Sequence, residues 1–369
     1  LGQTVKKVFL LTTETSGDLL AGELIRHLVD GDNELRVCGV GGPKARAQGM
    51  RTFYTVEDFN VMGLVEVLGN LKRLKRQFND LVHACEAESP DVIVLVDAPD
   101  FNIRFAKAVR HLGIPIVYYV SPQVWAWRSS RAKHIASVVD HMMVLFSFEA
   151  DIYRDFGLKT TWVGHPLVDE IPCGSSPSQM PERDVKRVLL APGSRPSELE
   201  RHRSVYEDLV QSADSDIHFS MALAPALKGT DLGALAKSDR VDIVHGNMRV
   251  AINDVDAAVV ASGTATLETG LFGVPMVVGY RMNALTYHLA KRLVKVDHIA
   301  LVNIVLNDRV VPELIQDEFN AKTIWKHLRP LLGPTAEAKQ MREQFARLPE
   351  LLGGTGSGRR AAEVVRTYL

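Results

Sequence analysis

With 369 residues, of which 46% are hydrophobic and 24% charged, the chain has the make-up of a soluble globular protein and exceeds one ordinary core. A formal net charge of −1 gives no global pull toward nucleic acid, so any anion binding is local. No apolar run reaches the roughly 18 residues that span a bilayer, the N-terminus has no signal-peptide pattern, and Cys38, Cys85 and Cys173 show neither metal-type spacing nor an even disulfide count. A soluble, two-domain protein of a reducing compartment is expected.

The first half alternates strands with helices. Val8–Thr12 reads as a strand, followed by Thr13-Glu14-Thr15-Ser16-Gly17-Asp18 and an amphipathic helix over Asp18–Val29. Ser16 or Asp18 caps that helix, or Ser16, Gly17 and Asp18 form an open turn facing a ligand cleft. Asp30-Gly31-Asp32 matches a short metal-binding pattern but falls where a turn wants Asp and Gly. His141, His165, His288 and His298 form no ligand-spaced set, so no metal is expected. Strand Arg36–Val40 ends in Gly39-Val40-Gly41-Gly42-Pro43, which lacks the ordered glycine fingerprint of a dinucleotide site.

Over Val61–Phe78, Leu64, Val67, Leu68, Leu71, Leu74 and Phe78 share one helical face, with Lys72, Arg73 and Arg76 off it. This is a domain helix with a solvated basic side, or an interfacial helix for anionic lipid. The apolar entry Phe59-Asn60-Val61-Met62-Gly63 keeps the second reading open. Val92–Val96 is apolar on both faces, as a central parallel strand should be. Asp97 follows it, placed to project into a crevice and to accept a proton from an alcohol; alternatively Asp97 or Asp100 caps the helix over Phe101–Leu112, Asp100 being the better cap candidate by position. After strand Ile116–Val120, Ser121-Pro122-Gln123-Val124-Trp125-Ala126-Trp127-Arg128 either packs a domain edge or frames a sugar or acyl group. In the second case Arg128, Arg131 and Lys133 meet phosphate. Segments Ser129–Val138, Met142–Phe146, Phe148–Phe156 and Thr161–Val163 continue the alternation.

Ile171–Asp184 has linker composition, and the β-α pattern then restarts. Strand Val188–Leu190 runs into Pro192-Gly193-Ser194-Arg195, and strand Ala257–Val260 into Ser262-Gly263-Thr264-Ala265. Each turn aims backbone N–H groups and a helix dipole at whatever occupies the crevice, a natural cradle for a diphosphate. Ser197-Glu198-Leu199-Glu200 reads as a capping box that sets Arg195 at a helix mouth. Glu268 can accept ribose hydroxyls, Gly279-Tyr280-Arg281 offers a second cation, and Asn303 is a satisfied turn residue or a ligand contact. The fold class is α/β, with two Rossmann-like domains facing each other across a cleft. The expected boundaries are 1–170, a linker over 171–184, 185–345, and a helical segment over 346–369 with the option of packing back on the first domain.

Several segments occur in a telling order: Glu14-Thr15-Ser16-Gly17-Asp18, Val61-Met62-Gly63, Val65-Glu66-Val67-Leu68-Gly69 and Asp97-Ala98-Pro99-Asp100-Phe101-Asn102. Tyr119-Val120-Ser121-Pro122, Val124-Trp125-Ala126-Trp127-Arg128, Gly164-His165, Pro192-Gly193-Ser194-Arg195, Ala261-Ser262-Gly263-Thr264-Ala265, Met276–Met282 and Leu289–Lys295 follow. Together the set resembles the lipid-A-disaccharide synthase family of bacterial inverting glycosyltransferases. The resemblance implies a GT-B fold and transfer of 2,3-diacylglucosamine from UDP-2,3-diacylglucosamine to 2,3-diacylglucosamine 1-phosphate (lipid X), without a cofactor. It implies donor contacts from Gly193, Ser194, Arg195, Ser262, Gly263, Thr264, Ala265, Glu268, Tyr280, Arg281 and Asn303, with Asp97 as base. Ser16, Gly17, Asp18, Met62, Gly63, Ser121, Trp125 and Arg128 would line the acceptor side. Leu64, Val67, Leu68, Leu71, Lys72, Arg73 and Arg76 would dock on the cytoplasmic face of the inner membrane. A homodimer stands as one option for assembly. Two other readings remain: another UDP-sugar enzyme of this fold such as a UDP-N-acetylglucosamine 2-epimerase, and a non-catalytic UDP-sugar or lipid-surface binding protein.

Overall fold

The computed structural model describes residues 5–30, 34–59, 64–122, 129–171, 184–283, 287 and 297–369, with the side chains of 64–71 and 129–130 outside the description. The chain folds into two compact units: unit 1 is Leu1–Asp169 with Leu352–Leu369, and unit 2 is Glu170–Leu351.

Unit 1 runs β1 (Lys7–Leu11), α1 (Thr15–Val29), β2 (Arg36–Gly41), α2 (Pro43–Ala47), β3 (Arg51–Thr55), α3 (Leu64–Glu88), β4 (Val92–Val96) and α4 (Pro99–Val109). It continues through β5 (Ile116–Tyr119), α5 (Ser129–Ala136), β6 (His141–Val144), α6 (Ser147–Arg154), β7 (Lys159–Trp162) and α7 (Leu167–Glu170). The seven strands are all parallel in the order β3-β2-β1-β4-β5-β6-β7. Direction of winding reverses between β1 and β4, so the crevice of this sheet opens beyond their carboxyl ends. β4 is fully buried, as its Val-Ile-Val-Leu-Val sequence requires of a strand covered on both faces. Phe9, Phe105, Leu95, Tyr118 and Val144 belong to the core on one side of it.

Unit 2 runs β8 (Lys186–Ala191), α8 (Pro196–Gln211), β9 (Ile217–Leu223), β10 (Val241–His245), α9 (Met248–Ile252), β11 (Ala257–Ala261), α10 (Thr264–Leu271) and β12 (Met276–Tyr280). Then come α11 (Leu301–Leu306), β13 (Glu313–Ile315), α12 (Ala321–Leu328), α13 (Ala336–Phe345) and α14 (Leu348–Leu351). Its sheet is again parallel, β10-β9-β8-β11-β12-β13, and the switch point lies between β8 and β11. The chain then returns to unit 1, where α15 (Ser357–Arg366) packs on α1. Arg360 ties this return to unit 1 through the carbonyl of Val163 at 2.7 Å, and the Asp169 carboxylate accepts from the Ser357 N–H and hydroxyl.

Several elements differ from the sequence expectation. α1 begins at Thr15, so Ser16 and Asp18 lie inside its first turn rather than capping it. α2, β3, β13 and α13 carry no strong periodicity and are not expected from the sequence; three of them have five residues or fewer. α3 continues ten residues beyond Phe78, to Glu88. Most of the expected linker, 172–183, lies outside the described residues.

Candidate active site

Both switch points carry the residues that chemistry would need. In unit 1, the segment after β1 brings Ser16 to the start of α1, and Asp97 directly follows β4. The Asp97 carboxyl is largely buried, and that burial raises it above the ordinary aspartate range. Hydrogen bonds from the Ala98 N–H and the Ser16 hydroxyl oppose the rise by stabilising the anion. Asp97 and Ala98 both sit in the left-handed backbone region, with φ of 52° and 45°. The main chain of Asp97 is fixed at each end: its N–H donates to Tyr119 at 2.9 Å, and its carbonyl accepts from the Tyr118 hydroxyl at 2.6 Å and Asn102 Nδ2 at 2.8 Å.

Asp18 is a structural joint. It is 2% exposed, and its carboxylate accepts from the N–H groups of Gly42 (2.7 Å), Lys44 (2.9 Å) and Ala45 (3.1 Å). It therefore caps α2 from a neighbouring helix. Gly17 is buried, and a Cβ there would strike the Thr12 hydroxyl. Asp100 does not cap α4 either: Ala98 holds that position ahead of Pro99, and Asp100 is exposed and paired with Arg131 at 2.8 Å. Ser121 is buried with its hydroxyl engaged by Tyr153 and the Pro122 carbonyl, so it too faces inward. Met62, Gly63, Trp125 and Arg128 lie outside the described residues, as do the side chains of Leu64, Val67, Leu68 and Leu71. Lys72, Arg73 and Arg76 are exposed on α3.

In unit 2 both glycine turns open at the switch point, but they differ in what fills them. Pro196 at the first helical position makes Arg195 the N-cap of α8, and the carboxylate that reaches back is Glu198, not Glu200. Glu198 is buried; its Oε2 accepts from the N–H groups of Ser194 (3.0 Å) and Arg195 (3.2 Å), and Oε1 accepts from the Tyr280 hydroxyl (3.2 Å). The first cradle is thus occupied by the protein's own carboxylate. Gly193, at φ 112°, is required because a Cβ would collide with Glu198. Arg195 itself stays 76% exposed at the helix mouth.

The second turn is open. Gly263 adopts φ 148° with empty space where a Cβ would stand. Among the described residues no acceptor meets the N–H groups of Thr264 or Ala265 at the start of α10. Ser262 steadies the turn by donating to the Ile299 carbonyl at 2.7 Å. One turn into α10, Glu268 Oε1 accepts from Arg249 Nε at 2.8 Å, and Arg249 also pairs with Glu170. Arg249 carries no sequence signal beyond its place in a short helix. Asn303 is fully buried: its amide donates to Val311 and Glu313 and accepts from the Val311 N–H, so it braces α11 against β13. His202, which the sequence does not single out either, is fully buried. Its Nε2 accepts from the Arg281 N–H at 3.0 Å, which leaves Nδ1 to donate to the Pro192 carbonyl at 2.9 Å. Burial holds this imidazole below its ordinary pKa, consistent with the neutral form that this pairing needs. It joins the first turn to the end of β12 and to Arg281. Among the described residues no group of three or more His, Cys, Asp or Glu is arranged to hold a metal ion.

Two parallel doubly wound units with glycine turns at a switch point define the GT-B class of fold. Solved structures agree: the calicheamicin glycosyltransferase CalG4 aligns over 100% of this chain and 99% of its own, at TM-score 0.62 and 18% identity. The S. aureus MnaA structure with UDP aligns over 98% and 96%, at TM-score 0.65 and 12% identity. The family model for lipid-A-disaccharide synthetase matches residues 8–359, and the chain belongs to that family. The lipid-A-disaccharide synthase of Geobacter metallireducens is 38% identical, covering 99% of this chain and 97% of that protein. That of Myxococcus xanthus is 36% identical, covering 98% and 97%. The protein is accordingly a glycosyltransferase of lipid A disaccharide synthesis, acting on a UDP-sugar and a lipid acceptor.

Proposed function

We propose that the chain transfers 2,3-diacylglucosamine from UDP-2,3-diacylglucosamine to lipid X, giving the β-1,6-linked disaccharide 1-phosphate and UDP with inversion. The observation that carries this reading is Asp97, a largely buried carboxyl at the unit 1 switch point beside the Ser16 hydroxyl. Asp97 takes the proton of the acceptor 6-hydroxyl as that oxygen bonds to the anomeric carbon. The bond from that carbon to the diphosphate oxygen breaks, and its electron pair leaves with UDP.

Unit 2 holds the nucleotide in this scheme. The open N–H groups of Thr264 and Ala265 receive a diphosphate oxygen, and Arg195 and Arg281 answer the charge that builds on it. Glu268, with one oxygen on Arg249, accepts ribose hydroxyls with the other. These cations do the work a divalent ion would otherwise do. The acyl chains stay in the bilayer, and α3 docks on the cytoplasmic leaflet of the inner membrane as a peripheral element. There Lys72, Arg73 and Arg76 each contribute about 1 kcal/mol on an anionic surface.

The test is mass spectrometry of purified protein with both substrates in mild detergent and EDTA. Disaccharide 1-phosphate with stoichiometric UDP supports the transferase and its metal independence together. Product that forms only after magnesium is added overturns the metal-free step. Asp97→Asn should abolish transfer while UDP affinity and folding persist; an active variant would reduce Asp97 to a structural role.

A further inference from the structure

Transfer as proposed uses the Asp97 carboxylate but not the groups that hold its main chain. Both are buried. Tyr118 and Asn102 are each 0% exposed, and they converge on one atom, the Asp97 carbonyl oxygen. Asn102 Nδ2 also donates to the Val96 carbonyl at 3.1 Å, so both of its bonds go to the two peptide units at the end of β4. Its own carbonyl, Oδ1, is buried without a partner. An amide placed only to satisfy the core would have its acceptor paired as well as its donors. Here the donors are used and the acceptor is left over, which marks the donors as the reason for the residue.

What they hold is strained. Six described non-glycine residues have positive φ, and three of them, Asp97, Ala98 and Val120, lie just beyond β4 and β5. Aspartate tolerates this region better than most residues, but neither the alanine that follows it nor the β-branched Val120 favours it, and such backbone persists where surrounding bonds over-determine it. At Asp97 the over-determination is visible: two donors on its carbonyl and its own N–H bonded to Tyr119. If the residue relaxed to extended backbone, β4 would run on and the carboxyl would leave its place beside Ser16.

We infer that Asn102 and Tyr118 are positioning residues that lock Asp97 in its left-handed conformation and thereby aim its carboxylate at the acceptor hydroxyl. The inference rests on the reading of Asp97 as general base. It assigns the Tyr118 hydroxyl and the Asn102 amide a role in turnover that neither has through contact with substrate.

The experiment compares Asn102→Ala and Tyr118→Phe with wild type and Asp97→Asn, using the full chain in detergent. It reads kcat, both KM values, UDP affinity and the pH dependence of kcat/KM. Each positioning variant should lower kcat at least tenfold while UDP affinity and donor KM stay within twofold. The acid limb of the pH profile should move to lower pH, as the released carboxyl meets more water. A kcat that merely follows the folded fraction, with the acid limb unmoved, overturns the inference. Tyr118→Phe removes a single oxygen, so it carries the test if Asn102→Ala does not fold. An active Asp97→Asn defeats the general-base reading itself. An inactive Asp97→Asn beside positioning variants with wild-type kcat and pH profile defeats only the positioning role.

Discussion

The starts of α8 and α10 are the same device put to two uses. Each follows a buried strand at the switch point of unit 2, each turns on a glycine with positive φ, and each leaves helix N–H groups in need of an anion. At α8 Glu198 supplies that anion to the Ser194 and Arg195 N–H groups that lead into the helix; at α10 no described residue supplies one. The rest of the protein shows the first solution to be the rule. Asp18 caps α2, Glu149 caps α6, Glu313 caps α11 and Asp169 caps α15, while Asn320 and Thr335 cap their own helices. Among helices of eight or more residues whose first turns are described, α1 and α10 lack such a cap and α4 has only the Asp97 carboxyl on its Ala98 N–H; all three start at a switch point. A helix start left without its internal anion is where a ligand is expected.

Four measurements would break or sharpen that contrast. The largest effect should come from Arg195→Ala, with turnover falling about a hundredfold and thermal stability nearly unchanged, since the side chain is 76% exposed. Near-normal turnover would remove Arg195 from the charge it is assigned to meet. Glu198→Ala should behave oppositely in kind, costing about 2 kcal/mol of stability as Ser194, Arg195 and Tyr280 lose their acceptor; urea unfolding reads this directly. Gly263→Ala should weaken UDP binding about tenfold, because a residue with a Cβ does not hold φ 148° and the N–H groups of α10 lose their aim. Calorimetric titration showing unchanged affinity would mean the open turn does not hold the diphosphate.

The smallest effect comes from acid on two buried histidines of unit 1. Burial holds His141 and His165 down to about 4, against about 6.5 in the unfolded chain. The unfolded state therefore takes up protons first as pH falls, and stability is full above about pH 6.5 and lost toward pH 4. Between pH 7.5 and 6 each histidine should cost a little under about 1 kcal/mol, visible as a fall in denaturation midpoint that His165→Asn reduces.

Much of this is legible locally. Five apolar residues before Asp97 announce a central strand, and two apolar runs ending in glycine and serine announce two helix-start turns. The choice of anion is not legible. Spacing from Ser197 points to Glu200, and Pro196 shifts the choice to Glu198 only once it is seen to occupy the first helical position. Asp18 meets its partners 24 to 27 residues away, and Asn303 finds Val311 and Glu313 through a turn with no periodic pattern. His202 and Arg249 act through contacts that only the folded sheet assembles. In each case the residue type is visible, and the partner that fixes its role comes from tertiary packing.

The return of the chain to unit 1 bears on how the molecule is made. α1, whose first turn presents Ser16 to Asp97, is covered on its outer side by α15, and the Asp169 carboxylate awaits Ser357. A nascent chain therefore emerges with its first sheet able to form early but with one helix uncovered. Synthesis must pass through the whole of Glu170–Leu351 before the segment that completes unit 1 leaves the ribosome. The half that carries Asp97 begins first and is finished last.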